Sequence, residues 1–201
     1  MSLFGAVLGV SAATGTEAFI SLIGYFVAVL TGLFLHGFVV LPFILWFVAR
    51  RSPISFAKAM SEALLTAFST ASSSGTLPLT MRCATERAGI DKRVSSFTLP
   101  LGATVNMDGT ALYEVVAVLF MAQMIGPLSV VEQLTVAFVA LLASVGAAGI
   151  PHAGTVMMVI VLQAVGLPTE GVLIILSVDR VLDMARTTIN VWSDSVAAAV
   201  I

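Results

Sequence analysis

The stretch SVGAAGIPHAG, residues 144–154, lies in the middle of an uncharged run that extends from Gln133 to Thr169. As a single helix these 37 residues would be about 55 Å long, nearly twice the hydrocarbon thickness of a bilayer. Glycine and proline at this density break helices. We therefore predict two half-length helices joined by an irregular tip. Irregular backbone at membrane depth is tolerated only where it packs against protein or lines a water-filled cavity. We therefore expect this tip to do one of the two.

The composition of the 201-residue chain also favours a membrane environment. Apolar residues make up 59% of the chain and charged residues 10%, and the mean hydropathy is +1.08. Soluble domains average about 25% charged residues, so this chain has too few to cover a water-facing surface. The net charge of -2 offers no basic face for nucleic acid, and Cys83 has no second cysteine in the chain to pair with. We predict a multi-pass membrane protein that binds no nucleic acid.

Charge-free runs and helix breaks divide the chain into five segments. Residues 18–49 carry no charge, which suffices for a membrane span, and Pro42 is expected to kink or end its helix. Residues 1–17 lack the basic start of a signal peptide. The predicted segments are a transmembrane helix at 18–50, a re-entrant hairpin at 53–81, an interrupted transmembrane helix at 92–126, a second re-entrant hairpin at 128–168 and an amphipathic transmembrane helix at 170–201.

The last four segments resemble two copies of one plan, in which a broken hairpin precedes a helix with a polar interruption. Pro78 precedes Asp108 by 30 residues, and Pro151 precedes Asp183 by 32. Paired interrupted segments are typical of the inverted repeats of secondary transporters. Seven of the nine Lys and Arg residues flank the first hairpin. The positive-inside rule therefore predicts that this hairpin enters from the cytoplasm and the second from outside, so that their tips meet.

The last segment carries a single polar stripe. At about 100° per residue its polar side chains fall within an arc of roughly 100°; they are Asp179, Asp183, Arg186, Thr187, Asn190 and Asp194. Ionisable residues inside a membrane cost about 2.5–3.5 kcal/mol each, so they are functional candidates. Arg186 could bind a carboxylate and Asp183 an ammonium group, which predicts a zwitterionic ligand with an extra carboxylate. The alternative is a structural pair in which Asp183 and Arg186 neutralise one another.

Three further positions leave two interpretations open. The break at Asn106 and Asp108 could supply oxygen ligands for sodium or be a glycine hinge. Residues 72–76 and 149–154 could present N–H and hydroxyl donors to an anion or be simple turns. Glu114 is either a proton carrier or a hydrogen-bonded core acid.

The remaining reactive residues favour no enzyme. Ser74 with His152 could imitate a serine protease and Asp108 with Asp183 an aspartyl one, but the sequence fixes no nucleophile beside a base. His36 and His152 are interpreted as packing or lining residues, because no other His or Cys lies at metal-binding spacing. We therefore predict that the chain is not an enzyme.

Three motifs resemble the glutamate transporter family, the dicarboxylate/amino acid:cation symporters that include the excitatory amino-acid transporters. They are SSSGTLP at 72–78, NMDGT at 106–110 and DMARTTINVWSD at 183–194. The resemblance covers about residues 22–201. It implies an all-α membrane protein, an elevator-type transport domain with two re-entrant helical hairpins and two interrupted transmembrane helices in an inverted repeat. The family forms homotrimers on an N-terminal scaffold, which we expect to be absent here, so that trimerisation of this chain alone is not expected.

The resemblance also implies roles for individual residues. Arg186 resembles the partner of the substrate side-chain carboxylate, and Asp183 resembles that of the substrate amino group. The expected substrate-binding residues are Ser72, Ser73, Ser74, Thr110, Ile150, Gly154, Asp183, Arg186, Thr187 and Asn190. The expected sodium sites are Gly102, Asn106, Asn190 and Asp194, then carbonyls near Thr104, Ser144, Val145 and Ala147, then Asp108 with Asn106. Glu114 matches a position that holds Glu in proton-coupled relatives, so sodium and protons both remain open as coupling ions.

The presence of both Arg186 and Asp183 favours glutamate or aspartate as substrate. Relatives that move neutral amino acids lack the arginine, and C4-dicarboxylate members tend to lack the acid. The expected function is sodium-coupled symport of acidic amino acids across a plasma or bacterial inner membrane, by elevator-type alternating access. The alternatives are proton-coupled uptake of glutamate or a C4-dicarboxylate and, in another class, a non-transporting membrane fragment or a channel.

Overall fold

A computed structural model describes residues 20–123, 126, 128–147, 149–169 and 172–201. The sequence-based interpretation of residues 1–17, the start of the first helix at Ala18 and the acidic connection at Glu170 lie outside the described residues. The helices are α1 (Ile20–Phe47), α2 (Pro53–Thr70), α3 (Ser73–Arg82), α4 (Lys92–Val105), α5 (Asp108–Gln123), α6 (Val130–Val145), α7 (Ala153–Ala164) and α8 (Val172–Val200). Over the described residues there is no strand, so the all-α prediction is confirmed for them.

Two stretches are long and apolar enough to cross a membrane, judged by length and composition. They are α1, with a mean hydropathy of 2.2, and Lys92–Gln123, which contains α4 and α5 and has a mean hydropathy of 1.3. The α4–α5 stretch is interrupted at residues 106 and 107, where the backbone leaves the helical conformation. Two further apolar helices, α6 and α7, are shorter.

Helix α1 contains a π-helical turn, His36–Val40, directly before Pro42. In this turn the N–H of Leu41 bonds to the carbonyl five residues back. The next acceptor in that register, the Gly37 carbonyl, would require an N–H from Pro42, which proline lacks. Trp192 of α8 supplies the donor instead, with its Nε1 3.1 Å from the Gly37 oxygen. The helix therefore continues past the proline to Phe47.

The first helical hairpin consists of α2 and α3. Helix α2 begins with Pro53 after Ser52 and ends at Ala71, whose φ of 51° places it in the left-handed region. Helix α3 is capped by Ser72, whose hydroxyl accepts a hydrogen bond from the N–H of Gly75 at 3.0 Å. Glu62 of α2 forms ion pairs with Arg82, at 2.8 Å, and with Arg87. These contacts link the middle of α2 to the end of α3 and to the turn that follows it.

The second helical hairpin consists of α6 and α7, both packed against α5. A capping box starts α6: Ser129 N–H donates to the Glu132 carboxylate at 2.7 Å, and Glu132 N–H donates to the Ser129 hydroxyl at 3.3 Å. Hydrogen bonds from the hydroxyl and the backbone N–H of Ser129 to the exposed Glu132 carboxylate hold its pKa below the ordinary value. The other arm, α7, begins after His152, whose φ is 64°.

The tips of the two hairpins contact one another directly. The carbonyl oxygen of Gly149 accepts hydrogen bonds from the N–H of Ser74, at 3.0 Å, and from the hydroxyl of Ser72, at 2.8 Å. Helix α8 packs against α1, α2, α3, α4, α5 and α7, so it passes through the centre of this arrangement. Its polar stripe therefore faces the place where the tips meet.

Candidate functional site

The polar stripe of α8 is buried along its whole length. Its six side chains are between 0% and 6% exposed; they are Asp179, Asp183, Arg186, Thr187, Asn190 and Asp194. Arg180, next to Asp179 in the same helix, is exposed. A buried charge requires a partner, because it has lost its hydration. The contacts of the stripe therefore decide what it can do.

Arg186 is paired with two carboxylates and one ring. Its Nε donates to Asp183 Oδ1 at 3.0 Å, and its Nη1 donates to Asp179 Oδ1 at 3.0 Å. The guanidinium carbon lies 4.1 Å from the centroid of the Tyr113 ring, which is a cation–π contact. Nη2 lies 2.8 Å from Asp183 Oδ1 but has no hydrogen-bond partner among the described residues. The structure thus contains the neutralising pair considered from the sequence, and it leaves one guanidinium nitrogen with unused donors.

The two aspartates also hold the second hairpin. Asp179 Oδ2 accepts hydrogen bonds from the Thr155 hydroxyl at 2.9 Å and from His152 Nδ1 at 3.0 Å. Asp183 Oδ2 accepts the backbone N–H of His152 at 2.9 Å. The start of α7 is therefore attached to the same carboxylates that bind the guanidinium of Arg186. A change in the pairing of Arg186 would act directly on the attachment of this hairpin.

One small cavity lies between the two tips, α5 and α8. Its lining is Ala71, Ser73, Met107, Thr110, Gly149, Ile150, Ala153, Gly154, Asp183, Arg186, Thr187 and Asn190. The volume that the centre of a water molecule can occupy in this cavity is ≈ 10 Å³. The cavity therefore has room for about one water. The hairpin tips approach α8 closely here, since a Cβ on Gly154 would lie 3.1 Å from the Arg186 guanidinium carbon.

The structure brings eight of the ten expected substrate-binding residues into this cavity. They are Ser73, Thr110, Ile150, Gly154, Asp183, Arg186, Thr187 and Asn190. The other two, Ser72 and Ser74, bond to the Gly149 carbonyl and join the tips instead. Asn190 is oriented by α5, because its Oδ1 accepts the N–H of Gly109 at 2.8 Å and its Nδ2 donates to Thr110 at 3.0 Å.

The first expected sodium site is assembled in part. Asn106, at the interruption between α4 and α5, donates to Asp194 Oδ1 at 2.9 Å and to the Ser193 hydroxyl at 3.0 Å. Gly102 lies directly against this carboxylate, since a Cβ there would be 2.6 Å from Asp194 Cγ. The side chain of Asn190, the fourth expected member, bonds to α5 as described above.

The other expected sodium ligands lie on either side of the interruption. Asp108 receives the N–H of Gly109 at 2.8 Å on one oxygen and lies 2.6 Å from His36 Nε2 of α1 on the other. The interpretation of His36 as a packing residue was therefore incomplete, because its ring is a partner of Asp108. Thr104 is exposed on α4, and its hydroxyl bonds back to its own helix at 3.0 Å.

The last three expected sodium ligands lie at the end of α6. The Ser144 carbonyl accepts the N–H of Ala147 at 3.1 Å in the turn that follows the helix. Ser144 and Ala147 are buried and Val145 is exposed. Among the described residues there is no group of three or more His, Cys, Asp and Glu side chains that could hold a metal ion. A cation at the end of α6 would depend on carbonyl and hydroxyl oxygens, whereas Asp108 and Asp194 would add carboxylate oxygens at the interruption.

Glu114 is fully buried on α5, in the second turn after the interruption. Neither of its carboxyl oxygens has a hydrogen-bond partner among the described residues. The same holds for the hydroxyl groups of Tyr25 and Tyr113, which are also buried. The lack of a hydrogen-bond partner distinguishes Glu114 from Asp179 and Asp183, whose carboxylate oxygens all accept hydrogen bonds. The interpretation of Glu114 as a hydrogen-bonded core acid is not supported by these contacts.

Sequence similarity to known proteins identifies the family of this chain. The sequence matches the profile of the Sodium:dicarboxylate symporter family over residues 1–201. The chain belongs to the sodium:dicarboxylate symporter family. Among its relatives, excitatory amino acid transporter 2 of Homo sapiens is 53% identical over 178 residues, which cover 88% of this chain and 31% of that protein. Excitatory amino acid transporter 3 of Oryctolagus cuniculus is 52% identical over 178 residues, covering 88% of this chain and 34% of that protein.

The name of a third relative describes it as sodium-dependent. The Caenorhabditis elegans protein glt-4, provisionally named a sodium-dependent excitatory amino acid transporter, is 54% identical over 181 residues, covering 90% of this chain and 36% of that protein. The 201-residue chain itself spans about a third of the length of the curated relatives it matches. Family membership confirms the resemblance seen in the three motifs, and it is a family of integral membrane transporters rather than enzymes.

Sequence reasoning about this symporter-family chain missed several contacts of the site. Asp179 was part of the polar stripe but had no assigned role, although it is the second carboxylate of Arg186. Tyr113 and Thr155, which contact Arg186 and Asp179, were not considered. Nothing in a single sequence marks an aromatic residue as the stacking partner of an arginine in another helix. The spacing of Asp179 four residues before Asp183 was the one available signal.

Proposed function

We propose that this chain is the substrate-binding and ion-binding part of a sodium-coupled symporter of acidic amino acids, glutamate or aspartate. The observation that carries the proposal is a buried arginine with an unused donor, beside an aspartate, in a cavity between two helical hairpins. A guanidinium binds carboxylates in a fixed fork geometry. An arginine beside an aspartate therefore suits a ligand that carries one positive and two negative groups.

In this proposal each end of the substrate has a partner. The side-chain carboxylate binds Arg186 and takes over part of the guanidinium that Asp179 now holds. The amino group binds Asp183, and hydroxyl and amide groups of Thr110, Thr187 and Asn190 bind the remaining oxygens. Because the site is desolvated, each of these charged hydrogen bonds is stronger than a neutral one. A neutral amino acid would bring no side-chain carboxylate to the guanidinium, which would stay paired with Asp179 and Asp183.

The second hairpin is proposed as the gate. The cavity has room for about one water, so an amino acid can enter only if one of the tips moves. The attachments to be broken are those of His152 and Thr155 to α8, together with the bonds at Gly149. We further propose that both hairpins are re-entrant, the first from the cytoplasm, and that the whole unit moves as an elevator in a plasma or bacterial inner membrane. The homotrimer of the family belongs to the longer protein.

Sodium is the proposed driving ion, bound by oxygens near Asn106, Asp108 and Asp194. A cation that crosses a potential of 100 mV yields about 2.3 kcal/mol, and a tenfold concentration ratio corresponds to about 1.4 kcal/mol. Two or three coupled cations would therefore concentrate one anionic amino acid many-fold. The ligand atoms are hard oxygens, as sodium requires, and unwound backbone supplies such oxygens in secondary transporters.

Uptake of labelled aspartate into liposomes tests the proposal. We expect the reconstituted protein to accumulate aspartate with an inward sodium gradient and not with potassium on both sides. Arg186→Cys should abolish aspartate binding, while Arg180→Cys, at an exposed position of the same helix, should retain it. Uptake independent of the cation gradient would indicate a channel, and retained aspartate affinity in Arg186→Cys would show that the substrate site is elsewhere.

Proton-coupled uptake of glutamate or a dicarboxylate is the second candidate. It is favoured by Glu114, whose buried carboxyl oxygens lack hydrogen-bond partners among the described residues. A carboxyl group in such a place is more stable when it is protonated. In the same liposomes, uptake driven by an inward proton gradient without sodium, and lost in Glu114→Gln, would favour this candidate over sodium coupling.

A further inference from the structure

An elongated apolar cleft lies between α1, α2 and α8. Its volume is ≈ 560 Å³, within the range of about 300–1,000 Å³ that is usual for ligand pockets. Phe38 and Pro42 of α1, Ala57 of α2 and Trp192 of α8 belong to its walls. Among the described residues, none lines both this cleft and the cavity between the hairpin tips. The proposed function gives the cleft no task.

The cleft follows one face of α2. Ile54, Ala57, Ser61 and Leu64 line it, and they share a face because they are three or four residues apart. From Ile54 to Leu64 the helix axis is about 15 Å long, which is about half of the hydrocarbon thickness of a bilayer. Ile54 and Phe38 are 72% and 68% exposed, so the cleft is open to the surroundings of the protein. Its length therefore corresponds to the depth of one leaflet.

The polar groups along the cleft are already hydrogen-bonded within the protein. The hydroxyl groups of Ser61 and Thr188 each donate to a carbonyl of their own helix at 2.9 Å. The Trp192 indole donates to the Gly37 carbonyl of α1 at 3.1 Å. An occupant with polar groups along its length would lose its hydration without finding an unused donor among these groups. The cleft therefore suits a hydrocarbon chain.

Lys58 supplies the charge of the cleft. Of the described residues that line it, Lys58 is the only charged one, and it is exposed. It forms no ion pair with another described residue, and Glu62, one turn further along α2, is paired with Arg82 and Arg87 instead. Lys58 lies in the second turn of α2, close in sequence to the two arginines at 50–51. An apolar cleft with one unpaired cation near its beginning fits an amphiphile with an anionic head.

We propose that this cleft binds one acyl chain of an anionic phospholipid, whose phosphate contacts the ammonium group of Lys58. The orientation proposed above places the start of α2 at the cytoplasmic face, where the leaflet carries anionic lipids. The long side chain of Lys58 extends to the headgroups, while the acyl chain lies along α2 as far as Leu64. This inference goes beyond the proposed function, since it involves neither sodium nor an amino acid.

A chain in the cleft contacts the helix that carries the polar stripe. Ile189 and Trp192 of α8 line the cleft, on either side of Asn190 in the sequence. Trp192 also packs against Phe56 of α2, with ring centroids 5.6 Å apart. The lipid thus lies where α1 and α2 meet α8, and the Trp192 ring is a reporter of its presence.

Quenching of Trp192 fluorescence by brominated lipid tests the proposal, because bromine quenches tryptophan at contact. The full chain carries Trp46→Phe, which leaves Trp192 as its only tryptophan. Trp192 is 6% exposed, so a lipid that merely surrounds the protein does not reach its ring, whereas a chain in the cleft does.

The protein is reconstituted without sodium or aspartate into phosphatidylcholine vesicles that contain increasing fractions of a brominated lipid. The brominated lipid is either phosphatidylglycerol, which is anionic, or phosphatidylcholine, which is zwitterionic. We expect half-maximal quenching at a fraction of phosphatidylglycerol about threefold to fivefold lower than that of phosphatidylcholine, which is the effect of one lysine charge at a membrane surface.

Three variants separate the charge from the cleft. Lys58→Gln should make the two lipids equally effective. Lys92→Gln is the matched control, because it removes the other lysine of the chain, which is exposed at the start of α4 and does not line the cleft; the preference should persist in it. Ala57→Leu narrows the cleft, so it should reduce quenching by both lipids. Thermal unfolding of each variant checks that it folds.

A preference for phosphatidylglycerol that disappears in Lys58→Gln and persists in Lys92→Gln supports the inference. Quenching without a preference, or with a preference that persists in Lys58→Gln, overturns it. If neither lipid quenches Trp192, the cleft holds no acyl chain and the inference fails. None of these results bears on the proposed function, because neither sodium nor aspartate is present.

Discussion

Replacement of Gly149 by alanine should separate the two hairpin tips. A Cβ at this position would lie 2.5 Å from the Ser74 hydroxyl oxygen and 2.6 Å from the carbonyl oxygen of Ala103. The second of these atoms is backbone, so it cannot rotate away. The tip must move, and the two hydrogen bonds that the Gly149 carbonyl accepts, at 2.8 and 3.0 Å, would be lost or distorted.

The expected cost of Gly149→Ala follows from these contacts. Each hydrogen bond contributes about 1 kcal/mol net, and overpacking costs about 1–3 kcal/mol when it is not relieved. If the tip moves, the overpacking is relieved but the hydrogen bonds are broken, so the two costs do not add in full. We therefore expect the free energy of unfolding to fall by about 2–3 kcal/mol. For a chain of this size that corresponds to a fall in Tm of roughly 4–12 °C.

Scanning fluorimetry in detergent measures this fall, and aspartate titration measures its effect on the site. Gly146→Ala is the matched control in the same tip, because its Cβ would approach no atom more closely than 3.6 Å. We expect it to change Tm by less than about 2 °C. Equal Tm values for the two variants would refute the view that direct contact between the tips holds the hairpins together.

Three further predictions concern the elements that support the site. Trp192→Phe should lower the free energy of unfolding by about 1–3 kcal/mol, because the Gly37 carbonyl on α1 loses its donor; chemical denaturation would measure this, and exposed Trp46→Phe should have little effect. Gly102→Ala should raise the sodium concentration for half-maximal aspartate binding at least tenfold, since its Cβ would enter the Asp194 carboxylate; Gly24→Ala, with open space around it, should not. Ser129→Ala should destabilise α6 by about 1 kcal/mol and raise the pKa of Glu132 toward its ordinary value, as measured by NMR titration. Because that pKa is lowered in the folded protein, the contribution of the capping box is present above about pH 4.3 and is lost as the pH falls below it.

Many features of the fold follow from short-range patterns in the sequence. The end of α6 and the start of α7 lie on either side of GAAGIPH, where glycine and proline cannot continue a helix. The interruption before Asp108 also falls within a recognisable motif, NMDGT, but at Asn106 and Met107, while Gly109 lies inside α5. The burial of the α8 stripe follows from its period, since side chains three and four residues apart share one helix face.

The hydrogen-bond partners of residues in and around the site could not be predicted from such short-range patterns. Sequence reasoning predicted Ser72 and Ser74 as ligand-binding residues, which stays a prediction. It did not predict that the Ser72 hydroxyl and the Ser74 N–H bond to the Gly149 carbonyl, in the first case 77 residues away. It interpreted His36 as a packing residue, although its partner Asp108 is 72 residues away. Hydrogen-bond partners at such distances depend on the relative depth of two helices, which no single helix determines.

Taken alone, the sequence determined that the chain is helical, rich in apolar surface and interrupted at particular glycine, proline and asparagine positions, because backbone preferences and the cost of buried charge act locally. Its three motifs also identified the family. The tertiary structure decided that Arg186 is shared between Asp179 and Asp183 and that the same carboxylates hold the start of α7. The reason is physical: the energy of a buried charge depends on every group within a few ångströms of it, and those groups come from helices that are distant in the sequence.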